Sequence, residues 1–195
     1  MNQRKVRKLL LASIPFETER LIVRYITTED LYDMYEYSAI PKVSEFLLWS
    51  PHLNIETTKG YISSLQTRYL KGLYADWAIV SKEHNKMIGT IGFAALDTAN
   101  KKCEIGYVLS PKFWGNGYIT EALTKMLYLT FEVMCLEKAT LRIIKENTRS
   151  IKLAKRFGFK YEFSINMDIK GEIREVMHFA LCREYYENSE KKKQS

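Results

Sequence analysis

A single mixed α/β domain, its sheet antiparallel at first and crossed over late, is the fold class that the sequence predicts. Three observations carry the prediction. Strand patterns with short turns follow one another between 76 and 109, a long amphipathic helix pattern begins at Thr120, and a strand pair closes the chain near Cys182. The elements are justified in order. Arg20 to Ile26 (RLIVRYI) alternates and reads as a strand. Thr28 is placed as the N-cap of a helix from Glu29 to about Tyr37, with Asp30 and Asp33 in early turns where the helix dipole favours acid. Thr57 to Leu70 reads as a second helix with Tyr61, Ile62, Leu65, Tyr69 and Leu70 as its apolar stripe. Asp76 to Ser81, Met87 to Leu96 and Cys103 to Leu109 are strands of an antiparallel meander, with turns at His84-Asn85 and Asp97 to Lys101. Pro111 ends the third. Thr120 to Met134 is a long helix with Ala122, Leu123, Met126, Leu127, Thr130 and Phe131 on one face. Ala139 to Lys145 is a strand, and Ser150 to Phe157 a helix stopped by Gly158. Phe159 to Met167 and Glu175 to Cys182 form a closing hairpin.

Composition narrows the function classes. The 195 residues are 46% hydrophobic and 27% charged, ordinary globular values. That length suits one domain that buries roughly 70% of the surface its unfolded chain exposes. No apolar run approaches the roughly 20 residues needed to span a bilayer, so no membrane role is expected. Arg4, Lys5, Arg7 and Lys8 precede Leu9, Leu10 and Leu11, but the apolar stretch is short and no small-residue cleavage site follows. We read it as a lead-in over 1–14, ahead of a domain over 15–186 and a charged, disordered tail over 187–195. Cys103, Cys135 and Cys182 are odd in number and widely spaced, which predicts reduced thiols in the cytoplasm and neither a disulfide framework nor a metal site. The formal net charge of +7 would attract a polyanion, coenzyme A or RNA alike, and charge does not choose between them. No recognisable RNA module and no basic-aromatic stripe is present, and direct DNA binding is not expected.

The segment with the most chemistry is Glu104-Ile-Gly-Tyr-Val-Leu-Ser-Pro111, followed by Lys112-Phe-Trp-Gly-Asn-Gly-Tyr-Ile-Thr-Glu121. It reads as strand, glycine-bearing turn, helix. Gly115 and Gly117 allow the backbone to approach a ligand, and the helix start adds unpaired N–H groups and a positive dipole end. Together they make an anion nest suited to a pyrophosphate. Two other phosphate motifs do not fit. There is no GxxxxGK[ST], and Thr120 stands where the third glycine of G-x-G-x-x-G would be.

This context resembles the acetyl-CoA motif of the GNAT superfamily, [QR]-x-x-G-x-[GA], with Trp114 at the leading position, Gly117 as the central glycine and Ile119 at the final one. Trp114 to Ala122, WGNGYITEA, is similar to the W-G-x-G-Y-x-T-E-A of RimJ/RimL-like N-acetyltransferases. The resemblance runs from about Phe16 to Tyr185. Glu17-Thr-Glu-Arg-Leu21, Ile88-Gly-Thr-Ile-Gly92, Asn147-Thr-Arg-Ser150 and Phe157-Gly-Phe-Lys-Tyr-Glu162 look like the family's E-T-E-R-L, I-G-x-I-G, N-x-x-S and G-F-x-x-E.

What the resemblance implies is specific. The fold would be a mixed, mostly antiparallel splayed sheet of about seven strands with about four helices. Acetyl-CoA would sit in the V between the strands at Glu104 to Leu109 and Ala139 to Lys145. The backbone of Tyr107, Val108 and Leu109 would pair with the pantetheine amides. The N–H groups of Trp114, Gly115, Asn116, Gly117, Tyr118, Ile119 and Thr120 would hold the pyrophosphate. Asn147 would lie near the pantetheine arm, although Asn there is also the usual helix N-cap. The reaction would be direct transfer of acetyl to a primary amine, with an oxyanion donor near Val108. Either Glu162 or Glu104 would be the base. Many family members have a tyrosine seven residues after the asparagine, but Ala154 stands there, so Ser150 is the implied proton donor to the leaving thiolate. An α-amine titrates near 7.7–8.0 and lysine near 10.4, so a neutral lysine costs about 3 kcal/mol more at neutral pH. This favours a protein N-terminus, such as that of a ribosomal protein. A polyamine, an aminoglycoside or a non-catalytic coenzyme A sensor stays open, as does monomer or homodimer. Trp49, Pro51, His52, Tyr69 and Trp77 are candidates for the acceptor side.

Overall fold

A computed structural model gives the fold for residues 9, 12–71 and 76–194, so most of the basic lead-in lies outside the described residues. Among the described residues, eight strands form one sheet: β1 (Phe16–Glu17), β2 (Leu21–Arg24), β3 (Asp76–Ser81), β4 (Lys86–Asp97), β5 (Lys102–Leu109), β6 (Lys138–Ile144), β7 (Lys160–Ile169) and β8 (Glu172–Cys182). Their spatial order is β1-β2-β3-β4-β5-β6-β8-β7. The β5–β6 neighbours are parallel and all others antiparallel. The expected meander is β3-β4-β5, and the late crossover is the one that carries the chain from β5 to β6 through α4 (Tyr118–Tyr128). The other helices are α1 (Leu31–Ser38), α2 (Pro41–Ser44), α3 (Ile55–Leu70), α5 (Thr148–Arg156) and α6 (Arg183–Gln194).

The parallel pair is short, and this decides the shape of the site. β5 meets β6 only through Lys102↔Lys138, Cys103↔Ala139 and Glu104↔Thr140. Beyond Glu104 the strands part. β5 stays laddered to β4 out to Leu109, and β6 stays laddered to β8 out to Ile144. Each strand therefore keeps one full ladder and turns the other edge, with its main-chain N–H and C=O groups, into the opening. Gly89 secures the β4–β5 side, because a Cβ there would fall 2.2 Å from the carbonyl oxygen of Val108.

Side-chain alternation gives the sheet two apolar faces. One packs Leu123, Met126 and Phe131 of the crossover against Ile79, Ile91, Phe93 and Phe179. The other packs Met34 and Tyr37 of α1 and Ile62 and Leu65 of α3 against Ala78, Val80 and Met87. Burying them is the main stabilisation of the sheet, about 1.5–3 kcal/mol for each large side chain.

Several expected boundaries move. Thr27 rather than Thr28 heads the first helical segment, its N–H donating to Asp30 Oδ2 at 2.8 Å. Asp30 is buried and paired with Arg24 at 2.7 Å, so it serves packing more than the dipole. Asn54 caps α3 by accepting from the Thr57 N–H at 3.0 Å, and Leu70, expected on its apolar stripe, is exposed. The long helix starts at Tyr118 and ends in a π turn over Leu129–Val133. The tail expected to be disordered continues as α6 through Gln194.

Candidate active site

A cavity of about 720 Å³ occupies the mouth of the V. Its far end is the turn before α4. Gly117, at φ 81°, is the N-cap of α4, and Gly115, at φ 83°, sits two residues earlier. Both need the left-handed conformation that glycine adopts at no steric cost. A Cβ on Gly115 would meet nothing within 4 Å, so that position is a bare cradle on the cavity wall. The first turn of α4 adds N–H groups that have no intrahelical acceptor. Lys42, Arg149, Lys152 and Arg156 line the same cavity, against Glu45 and Glu146. The residues present therefore fit a diphosphate ligand.

Tyr107, Val108, Leu109, Trp114, Gly115, Gly117, Tyr118, Ile119, Thr120, Asn147 and Ser150 all line this cavity. Asn116 does not, and its carbonyl accepts from Arg20 Nη1 at 2.9 Å. Two of the expected main-chain roles shift. The Trp114 N–H is committed to the Pro111 carbonyl at 3.2 Å, and its indole Nε1 to the Leu109 carbonyl at 2.8 Å. Trp114 is thus scaffolding, with Arg149 stacked over its ring at 4.3 Å. The Ser110 N–H donates to the Ile88 carbonyl of β4 at 2.8 Å. Main-chain groups of alternate residues face the same side of a strand, so Val108 also turns to β4 while Tyr107 and Leu109 face the V. The Tyr107 N–H, rather than that of Val108, is the donor turned to a carbonyl oxygen placed there.

Asn147 is the helix N-cap. Its side chain caps α5 by accepting from the Ser150 N–H at 3.2 Å, and it lines the cavity. Ser150 meets the phenol of Tyr107, whose pKa burial raises while this hydrogen bond opposes the rise.

A second cavity of about 350 Å³ lies across β5, and the two share Phe46, Leu47, Tyr107 and Val108 as a common wall. Asp76, Glu104, Arg68 and Arg142 bring two acids and two bases to it. Arg142 Nε donates to Glu104 Oε1 at 2.8 Å. Tyr61 donates its hydroxyl to Asp76 Oδ2 at 2.7 Å. Burial pushes the Asp76 carboxyl up, and the Tyr61 hydrogen bond and the charge of Arg68 oppose it. Glu162 lines neither cavity and pairs with Lys138 at 2.6 Å, because it sits at the irregularity between Tyr161 and Phe163 on the edge strand β7.

Of the five residues expected on the acceptor side, Trp49 lines the second cavity. Trp77 is buried edge-on to Phe93 at 5.8 Å. The Tyr69 hydroxyl bonds the Asp76 carbonyl, and His52 Nδ1 bonds Thr58 at 2.8 Å. Pro51 lines neither cavity. Sequence reasoning missed Asp76, Arg68 and Arg142. The signal for two of them was there: Asp76 is the one charge in the strand DWAIVS, and Arg142 is the one charge inside ATLRII.

A family model described as an acetyltransferase (GNAT) domain matches residues 20–160. The chain is 30% identical over 171 residues to the uncharacterized N-acetyltransferase p20 of Bacillus licheniformis, covering 87% of this chain and 96% of that one. It is 32% identical over 89 residues to the ribosomal-protein-serine acetyltransferase of Escherichia coli (strain K12), covering 46% of this chain and 49% of that one. The structure of the microcin C7 self immunity acetyltransferase MccE, crystallised with acetyl-CoA and AMP, superposes with a TM-score of 0.76 at 21% identity, over 85% of this chain and 93% of that one. That last likeness is one of fold.

Proposed function

The chain belongs to the GNAT family of N-acetyltransferases, and from that premise we propose that it moves acetyl from acetyl-CoA to the α-amine of a protein N-terminus, in the manner of the RimJ/RimL-like branch. The observation that carries the reading is the shared wall. The cavity at the diphosphate-fitting turn and the cavity that holds two carboxylates meet at Tyr107 and Val108, where β5 leaves β6. A donor in the first and an acceptor in the second would face one another across that edge.

Acetyl-CoA supplies an activated carbonyl on a thiol leaving group. The chain's own residues do the rest. The turn from Gly115 to Thr120, with Arg149, Lys152 and Arg156 nearby, holds the diphosphate. The strand edge at Tyr107 and Leu109 pairs with the pantetheine amides, and the Tyr107 N–H stabilises the oxygen on which charge develops. Ser150, in contact with the Tyr107 phenol, donates a proton toward the departing thiolate. Holding both reactants across one wall supplies the proximity that direct transfer needs. Glu104 faces the acceptor and Glu162 does not.

The α-amine is favoured because a neutral α-amine is more available than a neutral lysine by about 3 kcal/mol. The half-length match to a ribosomal-protein-serine acetyltransferase points the same way. The test is thiol release from acetyl-CoA against peptides with free and formylated N-termini, polyamines and aminoglycosides. Turnover confined to free α-amines is expected. A preference for spermidine, or tight acetyl-CoA binding with no thiol released for any amine, overturns the reading.

A further inference from the structure

Asp76 stands at one end of a row that is otherwise bare. Its cross-strand partner on β4 is Gly92, and the partner of Gly92 on β5 is Gly106. At about 4.8 Å per strand, the Asp76 and Gly106 backbones lie about 10 Å apart. Neither glycine carries a side chain, while Thr90, Phe93 and Ala94 of β4 line the cavity beside them. A Cβ on Gly106 would meet only Ala94 Cβ, at 3.8 Å. Gly106 therefore leaves bare backbone in the wall of the second cavity between Asp76 and the Tyr107 edge, room for the small end of an acceptor. Asp76 is fixed there twice from α3, by the Tyr61 hydroxyl on its carboxylate at 2.7 Å and by the Tyr69 hydroxyl on its main-chain carbonyl. Beyond Gly106, two residues along β5, Glu104 is already engaged by Arg142 at 2.8 Å.

We propose that Asp76 is the proton acceptor for the attacking amine, which lies over Gly106 between Asp76 and the Tyr107 edge, and that the Glu104–Arg142 pair positions the rest of the acceptor. This rests on the acetyl-transfer reading above. The amine arrives as an ammonium and gives one proton, through a bridging water in the second cavity, to an Asp76 oxygen. The freed lone pair forms the C–N bond at the thioester carbonyl carbon, and the C–S bond breaks. The second amine proton is lost from the nitrogen as the C–S bond breaks and ends on the sulfur by way of Ser150, giving the free thiol, and Asp76 returns its own proton to solvent. The groups facing Asp76 are Tyr37 from α1, Tyr61, Arg68 and Tyr69 from α3, and Glu104 and Arg142 across the cavity. Burial outweighs the opposing Tyr61 and Arg68, which moves the carboxyl toward the range where a base works at neutral pH.

The test compares D76N, E104Q and Y61F with wild type. Turnover is followed from pH 6 to pH 9.5 at saturating acetyl-CoA, while acetyl-CoA affinity by calorimetry and a melting curve certify the fold. D76N is expected to lose about 100-fold or more at neutral pH, the scale of general-base catalysis, with the deficit shrinking at high pH as the ammonium loses its proton unaided. Y61F removes a hydrogen bond that favours the charged carboxylate, so its acid limb should move to higher pH. A wild-type pH profile in D76N, or the pH-dependent loss appearing in E104Q instead, overturns the proposal. A second measurement needs no turnover: carboxyl carbon NMR with serine amide as probe. The resonance absent in D76N should titrate above an ordinary aspartate and fall when the amide binds. A resonance at the ordinary value and blind to the amide overturns the proposal even if no amine is ever acetylated, which separates its failure from that of the acetyl-transfer reading.

Discussion

Arg20 and Glu121 are 101 residues apart in sequence and share two hydrogen bonds, the Arg20 main-chain N–H to Oε1 at 2.8 Å and Arg20 Nε to Oε2 at 2.7 Å. Arg20 also reaches the Asn116 carbonyl with Nη1 at 2.9 Å and lies over the Tyr118 ring at 4.6 Å. The two sequence motifs E-T-E-R-L and W-G-x-G-Y-x-T-E are thus one piece of structure. The first braces the turn formed by the second.

Removing that brace should cost both stability and the donor site. Burial pushes the Glu121 carboxyl up, but hydrogen bonds from Thr18 and Arg20 outweigh it and hold the pKa below the ordinary value. A carboxyl lowered in the folded state stabilises the fold above its unfolded value of about 4.3, and that stabilisation is lost as pH falls through the folded value. E121Q is therefore expected to lose about 1–3 kcal/mol at pH 7, from charge-assisted hydrogen bonds, and to approach wild type in acid. Urea denaturation at a series of pH values measures it. A gap that stays constant into acid contradicts the assignment. R20A should weaken acetyl-CoA binding in calorimetry without touching the acceptor cavity.

The glycines of the turn should not be equivalent. Gly117 combines φ 81° with a Cβ position 3.4 Å from Arg20 Nη2, whereas Gly115 at φ 83° has open space. G117V therefore meets backbone strain of about 1–3 kcal/mol and disturbs the brace as well. G115A meets the strain and projects a methyl group toward the ligand. Calorimetry is expected to show acetyl-CoA binding abolished in G117V and reduced about tenfold in G115A, the equivalent of about 1.4 kcal/mol. Unchanged affinity in G117V would remove the turn from the donor site.

Glutamates that look alike in sequence should behave differently. Glu162 is paired with Lys138 outside both cavities, and Glu104 with Arg142 in the wall of the second. E162Q is expected to stay within twofold of wild type in kcat/KM at every pH. E104Q should raise KM for the amine severalfold, since it leaves Arg142 without its carboxylate, and leave KM for acetyl-CoA alone. Steady-state kinetics with each substrate varied in turn decides. A large kcat loss in E162Q would return the base to β7.

Much of the fold was legible because local signals repeat along the chain. Asp76 to Ser81 was read to the residue, since a β-rich apolar run bounded by turns leaves little choice. The helix starts were off by one or two residues, at Thr27 and Tyr118, because a cap depends on which hydroxyl or backbone conformation the neighbouring segment permits. Most residues expected at the first cavity do line it, because they lie in three short motifs that stay together in the fold. The acceptor side was not. Asp76, Tyr61, Gly106 and Arg142 come from four separate elements, and only strand register brings them to one cavity.

By itself the sequence determined the order of the main strands and helices between Leu21 and Cys182, though not β1, α2 or α6, and the glycine turn at Gly115 and Gly117. Those features rest on interactions between residues near one another in the chain, such as side-chain period, turn conformation and helix ends. The tertiary structure alone decided where β5 and β6 part, which edge Tyr107 turns into the gap, that the Trp114 indole is bonded to the Leu109 carbonyl, and that Asp76 lines a cavity while Glu162 lines neither. Each of these is a matter of which long-range ladder a strand keeps. No short stretch of residues records that choice, because it follows from packing the whole sheet at once.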